Sequence, residues 1–181
     1  MLSYQNIKTI FSQKSFLAIA AETYESYKTE TGGIFLGIRN PNKWYILETL
    51  DSGLNSIFRP GYFEYDNAYI NHLSNKIARF YREPIEVLGL WHRHPGSFDY
   101  FSLTDDTINK KYASQHSEGA ISALVNFDPF FRLTMYHVSL PSQSDSRPEY
   151  TKLSIEIGDQ LIPKNLLTIK SLSDYLSIVN D

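Results

Sequence analysis

At 181 residues, with 42% hydrophobic residues and 13 Tyr, 11 Phe and 2 Trp, the chain is long and apolar enough for one domain with a sizeable core, which excludes a disordered chain or a repeat array. Its 17 basic and 20 acidic residues leave a net charge of -3, so the overall field does not attract a polyanion and nucleic acid is not the expected partner. With no cysteine, disulfides, thiolate metal sites and cysteine nucleophiles drop out together, and any metal must be held by histidine and carboxylate.

The first expected element is a helix over residues 14 to 28, in which Leu17, Ala20, Ala21, Tyr24 and Tyr27 recur at helical spacing and define one apolar face. The apolar run Phe16 to Ala21 behind Lys8 and Lys14 is too short for a signal-sequence core, and no run reaches the roughly 18 residues of a membrane span. The expectation is a cytoplasmic protein without a membrane partner. Gly33 to Ile38 and Trp44 to Leu50 read as two strands of a hairpin around Arg39-Asn40-Pro41-Asn42. Asp51 to Tyr65, carrying Gly53, Asn55, Pro60 and Gly61, reads as a surface loop that ends where Asp66 can cap a helix. The apolar positions of that helix are Ile70, Leu73, Ile77, Phe80 and Tyr81, and Pro84 stops it. Glu86 to His94 alternates as a strand, Leu103 to Gln115 suits a helix, and Ala120 to Asn126 with Phe131 to Leu140 forms a second hairpin around Asp128-Pro129. The order is αββαβαββ. After Leu140 come a polar connection from Pro141 to Pro148, a strand at Tyr150 to Ile157 and a Leu-rich helix near Asn165 to Val179.

Together these elements imply an α/β or α+β single domain, a mixed β-sheet sandwiched by helices with Val87 to Trp91 as its central strand. Residues 1-140 would form its body, and residues 141-181 a C-terminal extension packing on it.

The strand from Glu86 ends in Trp91-His92-Arg93-His94-Pro95. Side chains alternate along a strand, so His92 and His94 share a face with their roots about 7 Å apart, close enough for two imidazoles to converge on one ion. Pro95 ends the ladder and places both rings at the sheet margin; the plainer alternative is two surface histidines. Downstream, Ser102-Leu103-Thr104-Asp105 opens a helix, and a Ser-x-x-acid quartet is also an ordinary capping box. Set beside the two histidines, however, an acid at a helix start completes a His₂-carboxylate set, which leaves one tetrahedral position of a zinc ion open for water. Such a water needs a base, and the candidate is Glu30. Glu22 and Glu25 compete for that role but sit on the polar side of the first helix, where exposed acids are ordinary. Asp106 could replace Asp105 as ligand if the helix began one residue later; otherwise it is a solvated first-turn acid. His72, His116 and His137 have no partners at ligand spacing and read as structural or surface residues. Tyr62, Phe63, Phe98, Tyr100 and Phe101 fall in loops that could hold an apolar tail.

Glu30-Thr31-Gly32-Gly33-Ile34-Phe35-Leu36-Gly37, followed by His92-Arg93-His94-Pro95, six residues, Ser102, two residues and Asp105, resembles the JAMM motif of JAB/MPN-domain metalloproteases. The resemblance spans about residues 10 to 140, and the element order fits that fold. It implies a zinc isopeptidase or peptidase with one Zn²⁺ per chain, acting on the bond after the C-terminal tail of a ubiquitin or ubiquitin-like protein or on its conjugates. By motif position, His92, His94 and Asp105 would bind zinc, Glu30 would activate water and Ser102 would support the oxyanion. Arg93 departs from the small polar residue usual there in ubiquitin-directed members. Alternation sends it to the face opposite the ligands, so zinc binding should survive while the substrate-side surroundings change. The absence of cysteine and of long insertions places the chain nearest the compact prokaryotic members, some of which are encoded beside bacterial homologues of ubiquitin-activating and ubiquitin-conjugating enzymes.

Gly32 and Gly33, beside the base, either let an extended tail pair with the strand or simply give that strand a tight start. Two other functions compete. A non-catalytic MPN-like scaffold would have no reason to keep Glu30, His92, His94, Ser102 and Asp105 together. DNA-linked proteins of the RadC type carry Asn between the histidines and Ser-Gly after the proline, where Arg93 and Gly96-Ser97 stand here.

Overall fold

The computed structural model describes residues 7–59, 62–94, 98–141 and 147–179. In chain order the elements are β1 (Lys8–Phe11), α1 (Gln13–Glu25), β2 (Thr31–Asn40), β3 (Lys43–Asp51), β4 (Ile57–Arg59), β5 (Tyr62–Glu64), α2 (Asn67–Ala78), β6 (Glu86–Arg93), α3 (Leu103–Ala113), β7 (Ala120–Asn126), β8 (Arg132–Ser139) and β9 (Glu149–Ile157). Two 3-10 turns, Asp159–Leu161 and Lys164–Leu167, then lead to α4 (Leu172–Val179).

Both expected hairpins form. β2 and β3 are joined by Pro41 and Asn42 alone, and β7 and β8 pair from Ala120 opposite Val138 to Asn126 opposite Arg132. Asp66 caps α2 as its residue type predicts, its carboxylate accepting from the Tyr69 N–H. β6 lies between β2, which it meets antiparallel, and β7, which it meets in parallel.

The sheet does not lie open between two layers of helix. Its seven main strands close on themselves in the order β1-β3-β2-β6-β7-β8-β9. Closure depends on β1, a four-residue strand absent from the order read from the sequence, which pairs in parallel with β3 on one side and β9 on the other. The edges of β3 and β9 that a sheet without β1 would leave bare thus both find a partner in it. Around this barrel α1 packs on β2 and β3, α2 on β3, and α3 on β6, β7 and β8. One buried cluster joins Phe11, Ile19, Phe35, Trp44, Trp91 and Met135; a second joins Ile34, Leu36, Leu47, Ile70, Tyr81 and Leu166, with Leu73 and Ile77 of α2 packed against it.

Several local readings change. In α1 the expected face is turned outward: Leu17, Tyr24 and Tyr27 are 55%, 61% and 56% exposed, and the buried residues are Ser15, Ile19 and Thr23. Two hydroxyls can be buried there because Ser15 donates to the Ser12 and Ile46 carbonyls and Thr23 to the Ile19 carbonyl, so neither leaves an unmet polar group. α2 ends at Ala78, well before Pro84; Phe80 is exposed, and Tyr81 is buried beyond the helix in a bridge to Ile169. The stretch from Asp51 to Tyr65 contains the small hairpin β4–β5, while its Pro60 and Gly61 lie outside the described residues. The C-terminal helix is half the expected length, a 3-10 turn occupying Lys164–Leu167. Most of the connection from Pro141 to Pro148 is also outside the described residues.

Candidate metal centre

Strand β6 ends at Arg93, and His94 follows it directly; Pro95, expected to end the ladder, and Gly96-Ser97 lie outside the described residues. The rings of His92 and His94 meet edge to face, 4.6 Å between centroids, with their Nε2 atoms 2.9 Å apart. Asp105, in the first turn of α3, faces both. Its Oδ1 is 3.3 Å from His92 Nε2 and its Oδ2 is 3.3 Å from His94 Nε2. The structure therefore gathers the two histidines and the acid that the sequence singles out, and among the described residues they are the group able to hold a metal ion.

The donor set fits a zinc ion. Zinc bonds of roughly 2.0–2.2 Å in a tetrahedron place donor atoms about 3.3 Å apart, close to the separations seen here, and two imidazoles plus one carboxylate leave a fourth position for water. The side chains of His92, His94 and Asp105 are 6%, 11% and 15% exposed, so the group is sheltered while a narrow approach remains.

Electrostatics bind the three together. Burial favours a protonated Asp105, but hydrogen bonds from His92 and His94, the charge of His92 and the bond to Ser102 outweigh it and hold the carboxyl well below its ordinary range. For His94 burial opposes the charged ring, yet the bond and charge of Asp105, the charge of Glu30 and the backbone at Phe98 raise it above its ordinary value.

The plain reading of Ser102 and Asp105 is realised as well. Ser102 caps α3, its Oγ accepting from the Asp105 N–H at 3.2 Å, while its own N–H donates to Asp105 Oδ2 at 2.6 Å. Cap and ligand are compatible because the cap fixes the carboxylate that faces the histidines. Ser102 itself is exposed, beside the acid it orients.

Glu30 directly precedes β2 and is partly buried. The β2–β6 register sets Thr31 opposite Arg93 and Gly32 opposite His92, so Glu30 and His94 are the residues that flank the last pair of the ladder, and the charge of Glu30 is among the influences that raise His94. Of the competing acids, Glu22 accepts from Thr31 Oγ1 at 2.6 Å and Ser26 Oγ at 3.2 Å, which braces the start of β2, and Glu25 is exposed. Gly33 answers to packing: a Cβ there would stand 1.8 Å from the Leu50 carbonyl oxygen and 2.8 Å from Trp91 Nε1, so its bare backbone serves the β2–β3 contact.

Asp106 is not a solvated acid. It is 5% exposed, its Oδ1 accepts from the Tyr150 hydroxyl at 2.7 Å, and Arg147 pairs with its Oδ2 while also donating to the Phe101 carbonyl at 3.2 Å. Phe101, read as a possible tail contact, is buried, stacked 4.4 Å from Tyr150 and packed 5.8 Å from the His92 ring. Phe98 and Tyr100 are exposed, and the side chains of Tyr62 and Phe63 lie outside the described residues. Arg147 and Tyr150 carry no local sequence signal for this role, since their partners lie about forty residues upstream. His116 pairs with Glu86, His137 is buried against Trp44, and His72 is exposed.

Residues 12–134 match the family described as prokaryotic homologs of the JAB domain. The solution structure of protein DSY2949 from Desulfitobacterium hafniense is similar over 84% of this chain and 96% of its own, with a TM-score of 0.60 at 12% sequence identity, which shows a shared fold. No curated protein matches the sequence.

Proposed function

Since the chain belongs to the prokaryotic homologs of the JAB domain, we propose that it is a zinc-dependent peptidase or isopeptidase that cuts the bond after the C-terminal tail of a ubiquitin-like protein. The observation that carries this reading is the convergence of His92 Nε2, His94 Nε2 and the Asp105 carboxylate at ligand-set separations, with Glu30 alongside. When bound, zinc supplies a Lewis acid for the scissile carbonyl and makes water acidic near pH 7.

The chain's own groups carry the proton and shape the site. Glu30 takes a proton from the attacking water and returns it to the leaving amine. Ser102 Oγ already accepts from the Asp105 N–H, which leaves its own proton to donate to the oxyanion that develops on the carbonyl. Asp105 is kept ionised by the two histidines, so it binds as a carboxylate over the whole neutral range. An extended tail has a place to add beside the site: β3 pairs with β2 only from Gly33 onward, so the side of Thr31 and Gly32 away from β6 has no strand partner among the described residues.

The test incubates the zinc-loaded protein with linear and isopeptide tail fusions of ubiquitin-like proteins, with and without a chelator, and maps products by mass. Cleavage after the tail that stops with chelator is expected, and Glu30→Gln should keep zinc yet lose about 10²–10⁴ in turnover. Cleavage that ignores the chelator, or no cleavage of any fusion, would overturn the reading and leave the scaffold function.

A further inference from the structure

Arg93 stands between the two histidines of the metal centre and points the other way. It is 5% exposed, and its guanidinium lies 5.2 Å over the ring of Phe127 in the turn between β7 and β8. Its Nη1 donates to the Ser26 carbonyl at 3.1 Å and to the Thr29 carbonyl at 2.6 Å. Ser26 is the C-cap of α1, where helix carbonyls lack intrahelical partners and carry partial negative charge, and Thr29 immediately precedes Glu30. The Thr29 N–H in turn donates to the same Ser26 carbonyl at 3.1 Å. From the far side, Glu22 holds Thr31.

We infer that Arg93 is a positioning residue, which clamps the Ser26–Thr29 turn to the strand that carries His92 and His94 and thereby keeps Glu30 beside the metal centre. This rests on the reading of Glu30 as the base. The base and the ligands come from different parts of the chain, Glu30 from the α1–β2 turn and the histidines from β6, so their separation is only as well defined as the link between those parts. Arg93 makes that link from within the ligand strand, one peptide from each histidine. A flat guanidinium can lie on Phe127 and still reach two carbonyls along its edge, whereas a lysine ammonium keeps the charge and loses the stacking.

Hydrogen exchange on the zinc-loaded protein, compared with Arg93→Gln and Arg93→Lys, tests the link without a substrate. In the Gln variant the amides of Thr29 to Thr31 should exchange at least about tenfold faster, with Lys between Gln and wild type, while α3 amides keep their rates and zinc stays stoichiometric. On a cleavable fusion, kcat should fall about 10- to 100-fold in the Gln variant with KM within about twofold, and the Arg93→Gln/Glu30→Gln pair should be no slower than Glu30→Gln alone. Unchanged exchange over Thr29 to Thr31, loss of zinc in the Gln variant, or losses that add in the double variant would each overturn the inference. If Arg93→Gln does not unfold cooperatively, the same readouts on Arg93→Lys decide it. A wild type that cleaves no fusion overturns the peptidase reading, and the exchange measurement still decides whether Arg93 holds the turn.

Discussion

Asp105 does two things with one carboxylate, and two substitutions separate them. Its Oδ2 accepts from the Ser102 N–H at 2.6 Å, half of the capping box of α3, and both oxygens face the histidines. Asp105→Ala removes both contacts, so it should abolish stoichiometric zinc and cost about 0.3–1.5 kcal/mol of stability for the lost cap. Asp105→Asn keeps an oxygen for the Ser102 N–H but no anion for the metal, so stability near wild type with weakened zinc is expected. Elemental analysis and urea unfolding of the metal-free proteins check this. If the Asn variant holds zinc as tightly as wild type, Asp105 is not a ligand. His92→Ala and His94→Ala should lose stoichiometric zinc and remain folded, because both lie at the end of β6, past Trp91, the last residue of that strand in the core cluster.

At the level of elements, Gly33 sits where β2 lies against β3 and leaves no space for one more carbon. Gly33→Ala would put a Cβ 1.8 Å from the Leu50 carbonyl, an atom of the sheet backbone that cannot swing aside. A loss at or above the upper end of the roughly 1–3 kcal/mol typical of overpacking is expected from denaturant unfolding, and a loss under about 1 kcal/mol would mean that the strands separate there easily. The sequence left Gly33 open between a substrate role and a packing role, because nothing in Gly32-Gly33 reveals a carbonyl seventeen residues away. The same limit explains α1: Leu17, Tyr24 and Tyr27 make the more apolar stripe, yet Ser15, Ile19 and Thr23 are buried; the Thr23 hydroxyl bonds within the helix to the Ile19 carbonyl, but the Ile46 carbonyl that meets the Ser15 hydroxyl is a tertiary fact. What was legible is what local rules govern: the Asp66 cap, the Pro41-Asn42 turn, and the alternation that puts His92 and His94 on one face and Arg93 on the other. The His92, His94 and Asp105 group was legible for the same reason, as its three residues stand at strand-end and helix-start positions. Glu30 was named as the base that a metal-bound water needs and again by the motif, while the buried pairing of Asp106 with Tyr150 could not be anticipated from either partner's surroundings.

For the whole molecule, stability should carry the mark of a buried histidine and depend on closure of the barrel. Burial lowers His137 below its ordinary value, reinforced by the charge of Arg39 and only partly offset by the Glu118 carbonyl. The unfolded chain then binds a proton more readily than the folded one, so this contribution is complete above about pH 6.5 and is lost as pH falls through the folded value. Urea midpoints taken between pH 7.5 and 5 should drop further for wild type than for His137→Asn, and equal drops would show that His137 titrates alike in both states.

Closure ties the far end of the chain to the metal centre. β9 pairs with β8 from Leu153 opposite Met135 to Glu149 opposite Ser139, and with β1 from Ser154 to Ile157, so a chain ending at Leu140 would bare two strand edges at once. The same cut removes Arg147 and Tyr150 and leaves Asp106 buried at the start of α3 without the bonds they supply, a cost of roughly 1–3 kcal/mol or more for a charged group. The residue immediately before it is Asp105, so the loosened helix start is the one that presents the candidate ligand. A chain ending at Lys170 loses far less. It keeps β9, the Tyr81–Ile169 bridge and the Arg82 N–H bond to the Thr168 carbonyl, and gives up α4, whose exposed Arg82–Asp174 pair is worth about 0–1 kcal/mol. The shorter chain is therefore expected to aggregate or unfold without cooperativity and to bind no stoichiometric zinc, although Glu30, His92, His94, Ser102 and Asp105 are all present in it, while the longer one unfolds cooperatively and binds one zinc. A cooperative, zinc-binding chain of residues 1–140 would show that the strands hold their places without closure and that the metal centre is independent of β9.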